Sequence, residues 1–253
     1  ATILSIRLQE VRSKKMKAKI FVIECLTNLH VGNGDVNFNI IDNEVERDVV
    51  TGFPTINSSG VKGALRAFFE ENKLSDIING IFGSEDKGST TSGSLKFLSA
   101  NLLALPIRSI SGDDKPYSIH APKTACEDFN QMIANFQLEN VSIADMKGGD
   151  EKITLDADNS CYERYGLPVI ARNSVGEKTN LWYEEVVPHK SIFYFAVVAS
   201  TSESENLLEI FTDSVREKII QFGANASVGY GLCKVIKVIS GNEEGANNGQ
   251  EQN

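Results

Sequence analysis

The sequence predicts an α+β fold in which two helices cover one face of an antiparallel sheet, and three observations predict it. Val61-Leu65-Phe68-Phe69 and Leu208-Phe211-Val215-Ile219-Phe222 form apolar stripes at helical spacing. Short apolar runs rich in β-branched residues precede and follow each stripe. Long polar stretches rich in turn residues separate the two halves. Strand, helix, strand, strand, helix, strand is the order of a ferredoxin-like core.

Lys17 to Thr27 (KAKIFVIECLT) is expected to be a buried strand, followed by a glycine-rich acidic loop from Val31 to Asp48. Val61 to Asn72 reads as a helix with Ser59 as its N-cap. Leu95 to Leu105 reads as a strand closed by Pro106, and Lys123 to Phe136 as a weakly patterned helix. Asp150 to Thr179 is polar and broken by turn residues, the expected mobile insertion. Ile192 to Ser200 is a strand. A long helix then starts near Ser202 or Ser204 and ends at Gly223, and Leu232 to Ile239 closes the sheet. One domain spans 16–240, with insertions at about 31–57 and 138–187. Residues 1–15 read as an extension, and 241–253, with Glu243, Glu244 and Glu251 among Gly and Asn, as a disordered acidic tail.

The 25 basic and 34 acidic residues give a net charge of −9. That weighs against nucleic-acid binding by the body as a whole, yet a basic groove can sit on an acidic body. The longest apolar run, Ile192–Ala199, is too short to span a bilayer, and no signal-peptide pattern opens the sequence. Cys25, Cys126, Cys161 and Cys233 lie far apart without paired spacing, which argues against zinc. Their free spacing suits a reducing cytoplasm, the expected location.

Three segments carry more than packing. In the first, Leu29-His30-Val31-Gly32-Asn33-Gly34 leads to Asp42 and a cluster with Glu44, Glu46 and Asp48. A carboxylate beside a phosphodiester can hold Mg²⁺ or orient an attacking hydroxyl, whereas such clusters also occur as solvated loops. In the second, Ser58, Ser59 and Gly60 precede Lys62 and Arg66, four residues apart on one helical face. A helix start with two cations suits a phosphate, and a capped amphipathic helix is the other reading. Gly60 and Gly63 would let a backbone approach closely. In the third, Gly223, Asn225 and Ser227 open the run GANASVGYG, which is either a backbone cradle for phosphate or a helix cap and turn. Asp156 and Asp158 resemble metal ligands but have no sequence partners nearby.

Together these segments resemble the RAMP superfamily of CRISPR-associated proteins, and within it the repeated backbone subunit of type III-B (Cmr) effector complexes. TGFPTINSSGVKGALR resembles the family signature, NLHVGNG and IIDNEVERD its upstream part, and FGANASVGYGLCKV its closing glycine loop. IFGSE, LPIRS and LWYEEVVP are weaker echoes. The resemblance implies a ferredoxin-like, RRM-like palm with a β-hairpin thumb, the latter at about 168–185. It implies binding of guide RNA and cleavage of complementary target RNA at regular intervals, through a divalent metal, Mg²⁺ or alternatively Mn²⁺. Asp42 would be the catalytic and metal-holding residue, with Glu184 a second candidate. His30, Arg47, Ser58, Ser59, Gly60, Lys62, Arg66, Arg172, Lys178, Trp182, Gly223, Asn225 and Ser227 would face RNA. Further copies of the chain and other Cmr subunits would be its partners, with no membrane. A non-catalytic RNA scaffold is the alternative, and a guide-processing nuclease a third reading. The chain departs from the family pattern at Asn57-Ser58 (Pro-Gly expected), at Tyr230 (Arg expected) and at Asn43-Glu44.

Overall fold

The computed structural model describes residues 16–32, 41–86, 89–109, 115–147, 151–174 and 180–241. Lys178, residues 1–15 and 242–253, and Asn33-Gly34 lie outside the described residues. The first half carries β1 (Lys17–Cys25), β2 (Thr55–Ile56), α1 (Ser58–Glu71), α2 (Ser75–Phe82), β3 (Gly83–Asp86), β4 (Ser89–Ser92), β5 (Leu95–Phe97) and β6 (Ala100–Arg108). The second carries β7 (Tyr117–Ala121), α3 (Lys123–Phe136), β8 (Ile153–Leu155), α4 (Ser160–Tyr165), β9 (Val169–Ser174) and β10 (Asn180–Glu185). It ends with β11 (Ile192–Ala199), α5 (Ser202–Val215), β12 (Ile219–Gln221) and β13 (Leu232–Ile239). The α+β class expected from the sequence holds.

The main sheet runs β12-β13-β1-β11-β6-β7-β8, with β2 beside β6 and β5 beside one end of β11. β1 is antiparallel to β11 (Ile20↔Ala196) and to β13 (Ile23↔Val235). The two-residue period of each strand sends Phe21, Ile23, Phe193, Phe195 and Val197 to one face, where α1, α2 and α5 pack. Ile20, Val22, Tyr194 and Ala196 point to the other, under Phe129 and Ile133 of α3. Both faces are therefore covered, not one. Every residue of β11 is buried, which is what a continuous apolar run means in a strand covered on two sides. Phe211 of α5 sits among Phe21 (5.4 Å), Phe69 (5.6 Å) and Phe97 (5.6 Å).

Several boundaries differ from expectation for identifiable reasons. α1 starts at Ser58, so Ser59 is inside its first turn and not the cap; the Ser58 N–H donates to Ser99 Oγ at 3.1 Å. β6 continues through Pro106, which pairs with Ile119 of β7. Pro106 lies beyond Ala104, the last β6 residue paired to β11, so its missing N–H breaks no ladder there. α5 stops at Val215, and Glu217 turns the chain with φ 58°. Beyond it Ile220 and Phe222 are buried while Ile219 is 51% exposed, so the period has switched from helix to strand. Gly223 is thus not a helix cap. The 150–179 region is structured in part, since β8 runs parallel to β7 (Ile119↔Ile153) and α4 follows.

α5 begins with a reciprocal cap: Thr201 Oγ1 accepts from the Ser204 N–H, and Ser204 Oγ accepts from the Thr201 N–H at 2.9 Å. Thr201→Ala is expected to lower stability by about 1 kcal/mol in urea unfolding, without changing the core. No helix among the described residues is long and apolar enough to cross a membrane.

Candidate functional site

Three chain segments meet at the end of β1, and His30 lies between them. Leu29 exchanges backbone hydrogen bonds with Val187 (2.9 and 2.8 Å), which brings the segment after β1 against the segment after β10. His30 is 5% exposed, and its Nδ1 is 2.8 Å from the Glu185 carbonyl oxygen. A carbonyl only accepts, so Nδ1 carries the proton and Nε2 is the remaining ring nitrogen.

The acidic segment runs beside β10. The Asp42 N–H donates to the Tyr183 carbonyl (3.1 Å), and Asp42 Oδ2 accepts from the Tyr183 N–H (2.8 Å). Asn43 then bridges Glu184 in parallel, and the Glu185 N–H donates to the Asn43 carbonyl at 2.9 Å. Asp42 is thereby an exposed carboxylate with one oxygen oriented by a strand backbone. Glu185, which the sequence reading passed over, is buried and joins the parts: its carboxylate accepts from the Val45 N–H (3.1 Å) and pairs with Arg47. Arg47 also hydrogen-bonds the Tyr162 hydroxyl and the Gly52 carbonyl (3.2 Å). Arg47, expected to face RNA, braces this turn while its side chain stays 35% exposed. Burial pushes the Tyr162 hydroxyl up from its ordinary pKa, and the nearby Arg47 charge partly offsets this.

The acidic segment then turns back toward α1. Asp48 caps this turn, accepting from the Val50 (3.0 Å) and Thr51 (2.8 Å) N–H groups. The Thr51 backbone bond leads the causes that hold the Asp48 carboxyl below its usual range. Ser58, Ser59 and Gly60 are exposed in the first turn of α1. Lys62 stands one turn in, with no ion pair among the described residues. Arg66 is tied to Glu70 (2.9 Å) and to the Gly83 carbonyl (3.2 Å), so it points to α2 and not to the helix start. A Cβ on Gly60 would meet Ile56 at 3.3 Å, whereas Gly63 faces open space.

The glycine loop closes from the third side. The Phe222 N–H donates to Gly231 (2.9 Å), the Gly231 N–H to Asn28 (2.8 Å) and the Ala224 N–H to His30 (2.9 Å). Gly223 has φ 72°, and a Cβ there would lie 2.3 Å from the His30 carbonyl oxygen, so only glycine fits. Asn225, itself left-handed at φ 63°, donates to Glu184 Oε1 at 2.6 Å. Glu184 is 3% exposed; its Oε2 lies 2.8 Å from Arg172 Nε as an ion pair, without the alignment of a hydrogen bond. The Arg172 guanidinium sits 4.5 Å over the Tyr230 ring. Where the family pattern has Arg, Tyr230 therefore borrows a cation from the hairpin. Trp182 is half-buried opposite Arg172 in the β9–β10 hairpin, and Ser227 is exposed.

A mixed α+β chain on one central sheet, with an acidic segment and a glycine loop both fastened to one β-hairpin, is the class of protein that this fold and site define. Residues 22–234 match the model of the RAMP superfamily, and the chain belongs to that superfamily. It is 24% identical over 297 residues to the CRISPR system Cmr endoribonuclease Cmr4 of Pyrococcus furiosus, covering 90% of this chain and 98% of that protein. A CMR subunit Cmr4 of Saccharolobus solfataricus is 38% identical over 104 residues, 39% of this chain and 33% of that one. Among solved structures, a type III-B Cmr-beta complex bound to cognate target RNA contains a chain with TM-score 0.72 and 21% identity, covering 86% of this chain and 95% of that one. Oligomeric Cmr4 from Pyrococcus furiosus aligns with TM-score 0.61 at 21% identity, over 88% of this chain and 98% of that one.

Proposed function

We propose that this chain is a repeated backbone subunit of a type III-B CRISPR ribonucleoprotein that binds guide RNA and cleaves the complementary target RNA at regular intervals. The observation that carries the reading is the exposed Asp42 carboxylate, held by β10, the strand that also carries the Glu185 carbonyl bonded to His30 and the Glu184 side chain bonded to Asn225 of the glycine loop. Membership of the superfamily and likeness to a Cmr endoribonuclease support it. Its partners in this reading are guide and target RNA, further copies of itself and other Cmr subunits. The β13-β1-β11-β6 order, with α1 and α5 on one face, is read as a ferredoxin-like palm, and the β9–β10 hairpin as the thumb.

In the proposed reaction the thumb displaces one target nucleotide, which frees its ribose 2′-hydroxyl for in-line attack on the adjacent phosphorus. The 2′-oxygen forms the new bond, the 5′-oxygen leaves with a proton, and a 2′,3′-cyclic phosphate and a 5′-hydroxyl result. Asp42 is the residue that would hold a divalent ion, Mg²⁺ or Mn²⁺. One exposed carboxylate suits Mg²⁺, which takes few protein ligands and completes its shell with phosphate oxygens and water. When bound, the ion supplies positive charge to the phosphate oxygens. The exposed Ser59 and Gly60 turn with Lys62 would seat a guide phosphate, and Arg172 stacked on Tyr230 would offer charge and a platform for a base.

The test is cleavage of labelled complementary RNA by the reconstituted complex with Mg²⁺ or with EDTA. Regularly spaced products ending in cyclic phosphate, present only with the metal, are expected. Tight RNA binding without cleavage would make the chain a scaffold and move the chemistry to its partners.

A further inference from the structure

Away from Asp42, side chains from three separate segments converge: His120 on β7, Asp156 directly after β8, and Cys161 in α4. Their ligand atoms all lie within 4.8 Å of one another. His120 Nδ1 is 2.7 Å from Asp156 Oδ1 and 3.8 Å from Cys161 Sγ, while Nε2 is 2.7 Å from Ser118 Oγ. The Asp156 side chain is only 10% exposed, and its second oxygen, Oδ2, is buried with no hydrogen-bond partner. A stranded polar atom of this kind costs about 1–3 kcal/mol, more when charged, unless a ligand compensates it.

A thiol–imidazole–carboxylate relay needs the thiol and the carboxylate on opposite ring nitrogens. Here both approach Nδ1. A plain His–Asp pair accounts for Oδ1 alone and leaves the adjacent thiol and the buried Oδ2 without a role. Metal ligands, by contrast, crowd toward one point, and a metal-bound imidazole hands its far nitrogen to an oxygen, as Nε2 is placed to do with Ser118.

We propose that His120, Asp156 and Cys161 bind one zinc-like divalent ion, separate from the ion expected at Asp42. The nitrogen, oxygen and sulfur donors form a set that suits Zn²⁺ and suits Mg²⁺ poorly, with a fourth position for water. Its effect is mechanical. Tyr162, next to Cys161, packs edge-on against Phe53 at 4.8 Å and hydrogen-bonds Arg47, which pairs with Glu185 beneath the acidic segment. The ion would pin α4 to β7 and so steady that brace without touching RNA. Cysteine spacing argued against zinc because only one cysteine takes part and the other ligands come from distant segments.

The experiment expresses the full chain with added zinc, removes free metal by gel filtration and measures bound metal by mass spectrometry. About one zinc per chain is expected in the wild type and in Asp42→Ala, with most of it lost from Asp156→Asn and Cys161→Ser. Ser118→Ala should weaken zinc binding about tenfold. Cobalt-loaded wild type should show a thiolate-to-cobalt charge-transfer band that Cys161→Ser lacks. Wild type that takes up no zinc, or shows no such cobalt band, overturns the proposal even if the variants misfold. So does full zinc retention by folded Asp156→Asn and Cys161→Ser.

Discussion

Asp42→Ala, assembled into the full complex, is expected to slow cleavage of guide-paired RNA by at least about a hundredfold. That figure corresponds to about 3 kcal/mol of lost charge stabilisation, at 1.36 kcal/mol per tenfold. Guide and target binding should be unchanged, because among the described residues the side chain meets only the Tyr183 N–H and is otherwise exposed. Asp42→Asn separates charge from shape: its side-chain carbonyl can still accept from Tyr183, but it is a far poorer ligand for a hard cation. It should be nearly as slow as the alanine variant in single-turnover assays. Cleavage at the wild-type rate by Asp42→Asn would remove Asp42 from the chemistry.

Glu184→Ala should cost about 3 kcal/mol of stability, because it leaves Arg172 without its counter-charge and Asn225 without its acceptor. The Arg172 side chain is 22% exposed and the Glu184 side chain 4%, so solvent screens the pair only in part. The same change uncouples the hairpin from the glycine loop, and RNA affinity should fall with it. Glu184→Gln keeps an acceptor for Asn225 and loses only the charge, so it should lie between wild type and alanine in both measurements. Urea unfolding beside an RNA titration checks this. Unfolding of Glu184→Ala at the wild-type midpoint would mean that the three side chains do not act as a clamp.

Where packing dictates the pattern, the sequence was readable. The stripes of α1 and the first turns of α5 follow burial because a helix on a sheet has one wet side. The α5 stripe misled past Val215 because Ile219, Ile220 and Phe222 satisfy both periods until the chain turns. The helix on the second face, α3, buries Ala125, Phe129 and Ile133 at the same spacing as Val61, Leu65 and Phe69 of α1, but its stripe opens on a small alanine and so stands out less. At the site, residue type revealed less than neighbourhood. Arg47 and Arg66 are each tied to a carboxylate, Glu185 and Glu70, and for Arg47 no local spacing discloses a partner 138 residues away. Glu185 was missed for the same reason, and the His120–Asp156–Cys161 cluster exists only because β7 and β8 are neighbours in the sheet.

The pairing of β1 also governs when the chain can fold. Its two neighbours, β11 and β13, both come from the last quarter of the sequence. During synthesis the first strand emerges with its apolar side chains unsatisfied and waits for nearly the whole chain before either edge can be closed. Closure of such distant contacts is slow, and the waiting strand is a ready template for mispairing with other nascent chains. A chain truncated before β11 would have no centre to its sheet, so the core of this protein closes only after its last quarter has been made.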